Sequence, residues 1–164
     1  MKWYLSSYIF ALSCNMVFCQ SSAPCSAPEY RQFDFWLGDW NVHDTLGNQV
    51  GESEIHRIQD SCAIQENWKS ANLTGTSYNY FRTSDSTWHQ IYLDNKGTVL
   101  ELSGKFMEGK MVLESEYFVR NNTEKKHRIT WGLDDKNHVV QKWDVVNRNG
   151  VIENELFKGV YIKK

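Results

Sequence analysis

The stretch between residues 32 and 42, QFDFWLGDWNV, constrains the fold more than any other part of the chain. Its first aromatic residues recur at helical spacing and are followed by Gly38, which predicts a short helical turn over 33–37. Trp40 and Val42 then share one face of a β-strand. We expect the turn to form an aromatic plug that closes one end of a β-barrel. An aromatic cluster beneath an ordinary β-sandwich is the alternative.

The remainder of the chain has the pattern of an antiparallel meander. No proline occurs after Asp39, and short β-rich runs alternate with turn signals such as Asn95-Lys96-Gly97 and Asn149-Gly150. No segment shows a long helical period, and the spacing of the strands leaves no room for crossover helices. About ten strands are predicted, at 39–45, 50–59, 62–70, 75–82, 87–94, 98–107, 110–120, 126–133, 138–147 and 151–161.

These strands predict an all-β fold. An up-and-down arrangement of about ten antiparallel strands hides both of its edges most simply by closing on itself. The expected architecture is therefore a closed antiparallel β-barrel with a short N-terminal helical plug, and residues 32–164 form this barrel domain.

The N-terminal residues predict export. Lys2 precedes an apolar run that is too short to span a bilayer and sits where a secretory signal belongs, so residues 1–19 are predicted to be a signal peptide. The expected location is secreted or periplasmic, with no transmembrane segment. Lipid anchoring through Cys14 or Cys19 is a less favoured alternative. Residues 20–31, which contain both prolines, are predicted to be a tethered leader.

Cleavage of such a signal would leave two cysteines, Cys25 and Cys62. An even pair in an exported chain is expected to be oxidised to a disulfide. Closing a loop of this length contributes roughly 3–4 kcal/mol in the chain-entropy model. The bond would tie the leader to an early strand.

Strand alternation predicts which side chains face the barrel interior. In the strand at 139–147, Lys142 and Asp144 are expected to face solvent, which turns Gln141 and Trp143 inward. In the strand at 62–70, Gln65, Asn67 and Lys69 are expected to face solvent, which turns Ile64, Glu66 and Trp68 inward. The predicted ligand-binding residues are Glu66, Trp68, Tyr78, Tyr80, Trp88, Gln90, Tyr92, Gln141 and Trp143.

Three of these inward residues, Glu66, Gln90 and Gln141, are polar. A buried amide or carboxyl costs several kcal/mol unless it is paired. They therefore form either a satisfied hydrogen-bond network that only stabilises the barrel, or the polar part of a mostly apolar ligand cavity. Both interpretations stay open.

Several motifs together resemble an exported, lipocalin-like family of unknown function. The chain between residues 33 and 42 resembles that family's F-D-F-W-x-G-x-W-x-V opening, and the similarity extends over about residues 25–161. This resemblance implies a calycin-type β-barrel and implies little about activity. Asn149-Gly150-Val151-Ile152 departs from the Gly-rich turn and Thr-Trp that members often carry before the last strand. The further matching motifs are Cys62-x-Ile64-x-Glu66-x-Trp68, Gly75-Thr76-Ser77-Tyr78-Asn79, Trp88-x-Gln90, Arg128-Ile129-Thr130-Trp131 and Gln141-x-Trp143.

Composition and motifs narrow the function classes. The 18 basic and 20 acidic residues nearly balance, which predicts no nucleic-acid partner. No pair of His or Cys residues has metal-ligand spacing, so no metal is expected. Phosphate-binding glycine loops and nucleophile elbows are absent. A more distant similarity to haem-binding nitrobindin-type barrels would require an axial ligand, and no His has a pattern that selects one. We therefore expect no cofactor.

The favoured function is an exported barrel that binds a small, largely apolar molecule in an aromatic-lined cavity. A cofactor-free cyclase, isomerase or lyase is a less favoured alternative, with Glu66 as general acid or base and buried so that its ionisation is disfavoured. A solidly packed structural or interaction barrel is the third possibility. The sequence leaves the oligomeric state open.

Overall fold

The chain closes into an antiparallel β-barrel in the computed structural model, which describes residues 23–164. The predicted signal peptide lies outside the described residues. Two short 3₁₀ helices, Pro28–Arg31 and Asp34–Trp36, precede the strands. The strands are β1 Gly38–His43, β2 Gln49–Ile58, β3 Ala63–Lys69, β4 Thr74–Arg82, β5 Thr87–Asp94, β6 Val99–Met107, β7 Lys110–Glu114, β8 Phe118–Arg120, β9 Thr123–Leu133, β10 Val139–Asn147 and β11 Ile152–Lys163.

Neighbouring strands pair antiparallel in chain order from β1 to β7, and β7 then pairs with β9. The ring closes because β9 pairs with β10, β10 with β11, and β11 with β1. Ten strands thus complete the barrel, and the prediction of an all-β, ten-stranded antiparallel barrel is confirmed. Closure leaves no open edge in this ring.

The strand predicted at 110–120 is divided into β7 and β8, which both pair with β9. Glu114 lies opposite Arg128, whereas Phe118 lies opposite Lys125, so three residues of one strand face two of the other. This is the geometry of a β-bulge, which bends one strand and interrupts its ladder. The alternation of side chains gave no sign of this bulge.

The helical turn of the opening motif closes one end of the barrel, as its aromatic spacing predicts. Phe33 and Trp36 are fully buried and stack with ring centroids 4.8 Å apart. Phe33 also meets Trp131 at 5.2 Å and Trp88 at 5.6 Å, both edge-on. The four rings form a plug that joins the N-terminal turn to strands on both sides of the barrel.

The first strand starts at Gly38, whose φ of 137° is a conformation that glycine adopts most readily. Trp40 follows with only 3% exposure, and its indole Nε1 donates to the carbonyl oxygen of Trp36 at 3.0 Å. Val42 is fully buried on the same face. The predicted inward pair at the start of the barrel is confirmed.

The disulfide predicted between Cys25 and Cys62 is present. It joins the leader to the turn before β3, next to the plug. The guanidinium of Arg31 strengthens this connection by donating from Nη2 to the carbonyl oxygens of Cys25 and Ser61. A disulfide fits an extracellular or periplasmic protein. In the part of the chain from residue 23 onward, no helix is both long and apolar enough to cross a membrane.

Candidate functional site

The barrel holds a cavity of about 430 Å³ that reaches the end opposite the plug. Ser70 and Leu73, in the turn between β3 and β4, line its outer part, together with Leu100 at the start of β6. Pockets for small molecules range over roughly 300–1,000 Å³. The cavity is therefore large enough for a small ligand and opens away from the plug. We call this open end the mouth.

The lining is divided into two layers by depth. A polar floor consists of Glu66, Gln90, Gln141 and Tyr161, and an aromatic collar nearer the mouth consists of Trp68, Tyr92, Trp143 and Phe157. On three strands the collar ring follows the floor residue by two positions, which places it on the same face about 7 Å closer to the mouth. A molecule in the cavity would meet polar groups at its inner end and apolar surface along its length.

Among residues 23–164, Glu66 is the only acidic residue that lines the cavity. It is 6% exposed, and its two carboxylate oxygens accept from the hydroxyls of Ser53 at 3.0 Å and Ser77 at 2.9 Å. Burial raises the pKa of Glu66 to about 7, while the two serine hydrogen bonds oppose this rise. Its charge therefore changes near neutral pH.

A chain of amides and hydroxyls continues from Glu66 along the barrel wall. The amide nitrogen of Gln90 donates to Oδ1 of Asn79 at 2.7 Å, and the amide nitrogen of Asn79 donates to the Ser77 hydroxyl at 3.0 Å. Each donor points toward the carboxylate. The chain stabilises the ionised form of Glu66 and holds Gln90 in place beside the cavity.

The opposite part of the floor is made by Tyr161 and Gln141. The Tyr161 hydroxyl donates to Oε1 of Gln141. Burial raises the pKa of Tyr161 well above its ordinary value, and the nearby Glu66 and Tyr92 raise it further. Burial, with Asp94 and Glu66, likewise raises the pKa of Tyr92 to about 12. Both phenols stay protonated at physiological pH, so they act as hydrogen-bonding groups.

The aromatic collar fits the barrel because small residues face it. A Cβ atom added to Gly51 would lie 2.5 Å from the ring of Trp68, and one added to Gly75 would lie 2.5 Å from the hydroxyl of Tyr92. The rings of Trp68 and Phe157 also pack edge to face at 5.9 Å. The collar rings are thus seated against backbone rather than free to fill the cavity.

A histidine near the mouth fixes the third collar ring. Trp143 donates from Nε1 to Nδ1 of His127 at 3.0 Å, and Phe118 stacks on the other side of the imidazole at 4.9 Å. Burial lowers the pKa of His127, so the ring is neutral at pH 7 and accepts this bond. His127 thus positions Trp143 through a hydrogen bond.

Six of the predicted site residues line this cavity, as strand alternation predicts for them. Their role in binding a ligand stays a prediction. They are Glu66, Trp68, Gln90, Tyr92, Gln141 and Trp143.

Tyr78 and Tyr80 are placed on the outer face, so their predicted inward orientation is wrong. Tyr78 is 42% exposed, and Tyr80 stacks on His89 of the next strand at 5.4 Å. The inward residues of β4 are Ser77 and Asn79, both fully buried. Aromatic character does not identify the inner face of β4, because the inner positions hold the hydrogen-bonding side chains of the network around Glu66.

Trp88 points into the barrel but lies in the plug, away from the cavity. It is 2% exposed, packs against Phe33 and donates from Nε1 to the side-chain oxygen of Gln32 at 3.1 Å. It lies at the plug end of β5, two residues before Gln90. The prediction that Trp88 lines the ligand cavity is therefore corrected, because its ring belongs to the plug.

Strand alternation predicts that Asp144 faces solvent. It lies on the outer face opposite Arg128, yet it is only 4% exposed. Burial, and then the neighbouring Glu155, raise its pKa. The prediction of the face holds, and the prediction of exposure is wrong because neighbouring strands and side chains cover the carboxyl.

Strand alternation was not used to predict Tyr161 of the floor or the two serines that hold Glu66, Ser53 and Ser77. Ser53 could have been found, since Glu52 and Glu54 on β2 must face solvent and turn it inward. The run Gly75-Thr76-Ser77 offers no charged residue that identifies its outer face. Tyr161 could also have been found, since Lys158 on β11 must face solvent and the unbroken alternation from Phe157 to Tyr161 turns Tyr161 inward.

The chemistry open to this site is that of a buried carboxyl with neutral partners. No Lys, Arg or His side chain lines the cavity within the described part of the chain. Over residues 23–164, no group of three His, Cys, Asp or Glu side chains is placed to hold a metal ion. The site can accept and donate hydrogen bonds at its floor and can exchange one proton through Glu66.

No family model matches the chain, and no curated protein matches it significantly. The closed barrel therefore rests on the structure, and the similarity of the motifs to an exported lipocalin-like family stays a prediction.

Proposed function

We propose that this protein binds a small, largely apolar molecule inside the barrel, with the polar end of the molecule at the floor. The observation that carries this proposal is the 430 Å³ cavity, which is apolar near the mouth and has a buried carboxyl at its inner end. Pockets of this kind combine mostly hydrophobic walls with a few convergent polar groups. A barrel that served only as a rigid structural unit would have no need for such a space.

The proposal is tested with a neutral apolar probe, N-phenyl-1-naphthylamine, whose fluorescence rises in apolar surroundings. Titration into the purified protein is expected to give saturable binding at one site per chain. Leu100, which lines the cavity and is 8% exposed, is replaced by Trp to fill the space. We expect this variant to lose at least tenfold in affinity.

The matched control is Leu93→Trp. Leu93 is on β5, next to β6 in the sheet, and is 42% exposed on the outer face, so the same ring is added outside the cavity. This variant is expected to bind the probe as the wild type does. Equal affinity in both tryptophan variants, or no saturable binding by the wild type, would refute the proposal.

A second candidate function is supported by the pKa of Glu66 near 7. General acid–base catalysis works best when the pKa of the catalytic group lies near the working pH. A cofactor-free cyclase, isomerase or lyase could use Glu66 in this way, with Gln90 and Gln141 orienting the substrate. Its test is mass-spectrometric detection of conversion in a mixture of small apolar metabolites. Conversion by wild type and by Glu66→Gln alike would exclude this role for Glu66.

The motifs and the disulfide support placement of the protein in an exported, calycin-type lipocalin-like family, with residues 1–19 as its signal peptide. The disulfide fits an oxidising compartment. Expression with the native N-terminus and N-terminal sequencing of the exported product are expected to show a first residue at position 20. Retention of the intact N-terminus in the cytoplasm would contradict this placement.

A further inference from the structure

The order of polar and apolar groups along the cavity sets the direction in which a ligand enters. The plug closes the inner end, so a ligand passes the aromatic collar before it reaches the floor. Burial of apolar surface against the collar is favourable for any apolar body. The group of the ligand that enters first, its leading group, therefore has to match the polar side chains of the floor.

The floor offers a carboxylate with spare acceptor capacity. An ionised carboxylate has about four acceptor sites, and the Ser53 and Ser77 hydroxyls occupy one on each oxygen of Glu66. Gln90 donates through its amide nitrogen to Asn79 and keeps its own carbonyl oxygen as a further acceptor. The free capacity of Glu66 and Gln90 is for hydrogen-bond donors, while Gln141, whose Oε1 accepts from Tyr161, presents a neutral amide donor.

The floor also lacks any cation that could compensate a second negative charge. Glu66 is held by neutral hydroxyls, and no basic side chain lines the cavity in the described part of the chain. A buried anion without a partner is costly, and two carboxylates in one site disfavour the ionisation of both. An anionic leading group would therefore be rejected, whereas a cation would gain a partner.

Resting on the proposed function, we propose that the ligand enters with a hydrogen-bond donor first, a primary amine or a hydroxyl on an apolar body, and that carboxylates are excluded. Glu66 accepts from this donor at the floor. The apolar body lies between the collar rings Trp68, Tyr92, Trp143 and Phe157. The ligand class is thus that of apolar amines and alcohols, and free fatty acids fall outside it.

Three probes with one apolar body and different leading groups test this assignment: 6-phenylhexan-1-amine, 6-phenylhexan-1-ol and 6-phenylhexanoate. Affinities are measured by calorimetry at pH 8. Wild type is expected to bind the amine and the alcohol at least tenfold more tightly than the carboxylate. In Glu66→Gln the preference for the amine over the carboxylate is expected to fall to threefold or less.

Glu101→Gln is the control, because Glu101 is exposed on the outer face of β6 and the change alters net charge equally. It is expected to keep the wild-type preference. Carboxylate affinity equal to that of the alcohol, or an unchanged preference in Glu66→Gln, overturns the inference. If Glu66→Gln fails to fold, the ranking of the three probes in wild type still tests the inference.

The outcome also separates this inference from the proposed function. Binding of N-phenyl-1-naphthylamine without binding of any phenylhexyl probe overturns the inference alone. Absence of binding by all four molecules overturns both.

Discussion

The buried carboxyl of Glu66 predicts an unusual dependence of stability on pH. In the unfolded chain the carboxyl titrates near its ordinary pKa of 4.5, and burial raises its pKa in the folded protein to about 7. Between these values the folded protein holds a proton that the unfolded chain has released. Stability therefore falls as pH rises from about 4.5 to about 7, in the direction opposite to that for a salt-bridged acid.

The magnitude follows from the two pKa values. Each pH unit between them corresponds to 1.36 kcal/mol, so the full loss for one group is about 3 kcal/mol. Glu66→Gln keeps the shape of the side chain and removes the charge. Its free energy of unfolding is expected to match that of wild type at pH 4 and to exceed it by about 3 kcal/mol at pH 8.

The measurement is guanidinium denaturation followed by tryptophan fluorescence at pH 4, 5, 6, 7 and 8, with the disulfide intact. Glu101→Gln is the control, and its stability is expected to follow that of wild type at every pH, since Glu101 is exposed. If the difference between Glu66→Gln and wild type stays constant over this range, Glu66 does not titrate between pH 4.5 and 7. The account of a carboxyl perturbed by burial would then be refuted.

Three further predictions concern the framework around the site. Trp40→Ala is expected to cost about 3–5 kcal/mol in denaturation, because a buried indole that also donates a hydrogen bond is removed. Mass spectrometry of unreduced protein should show no free thiol at Cys25 or Cys62, and replacing both by Ser should cost about 4 kcal/mol, since the bond closes a 37-residue separation. Gly104→Ala should cost at least about 2 kcal/mol, because the new methyl group would lie 2.0 Å from the carbonyl oxygen of Val112 on the adjacent strand.

Each of these has a contrary result. A change of less than about 0.5 kcal/mol in Trp40→Ala would show that the plug does not depend on this ring. Two free thiols in unreduced protein would refute the disulfide. Ser103→Ala on the exposed face of β6 is the control for Gly104→Ala, and equal stability of these two variants would show that the contact between β6 and β7 is not tight.

The fold was largely predictable because local signals agreed along the chain. Turn residues divided the chain into strands, and the aromatic spacing before Gly38 predicted the plug. Closure could be inferred, since an antiparallel meander without covering helices must hide its two edges. The bulge between β7 and β8 could not be inferred, because an extra residue shifts the phase of the alternation without interrupting the β-rich run.

The site was most predictable where polar or charged residues marked the outer face of a strand. Gln65, Asn67 and Lys69 identified the inner position of Glu66, and Lys142 did so for Gln141. The middle of β4 contains no charged residue. Polarity therefore could not show which of Ser77 and Tyr78 faces the barrel interior. Alternation shows which face of a strand a residue occupies but not its depth along the barrel axis. It therefore does not distinguish Trp88 of the plug from the residues that line the cavity.

The plug and the Cys25–Cys62 bond act on the same end of the barrel, and this gives the molecule a gradient of rigidity. Backbone amides near Gly38, Ile64 and Trp131 are expected to exchange with solvent mainly when the sheet opens as a whole. Amides at the other ends of the same strands can exchange through local fraying at the rim. Along β3 or β10, protection is therefore expected to fall from the plug end to the mouth within a few residues. We therefore expect local opening at the mouth to occur more often than unfolding of the whole barrel.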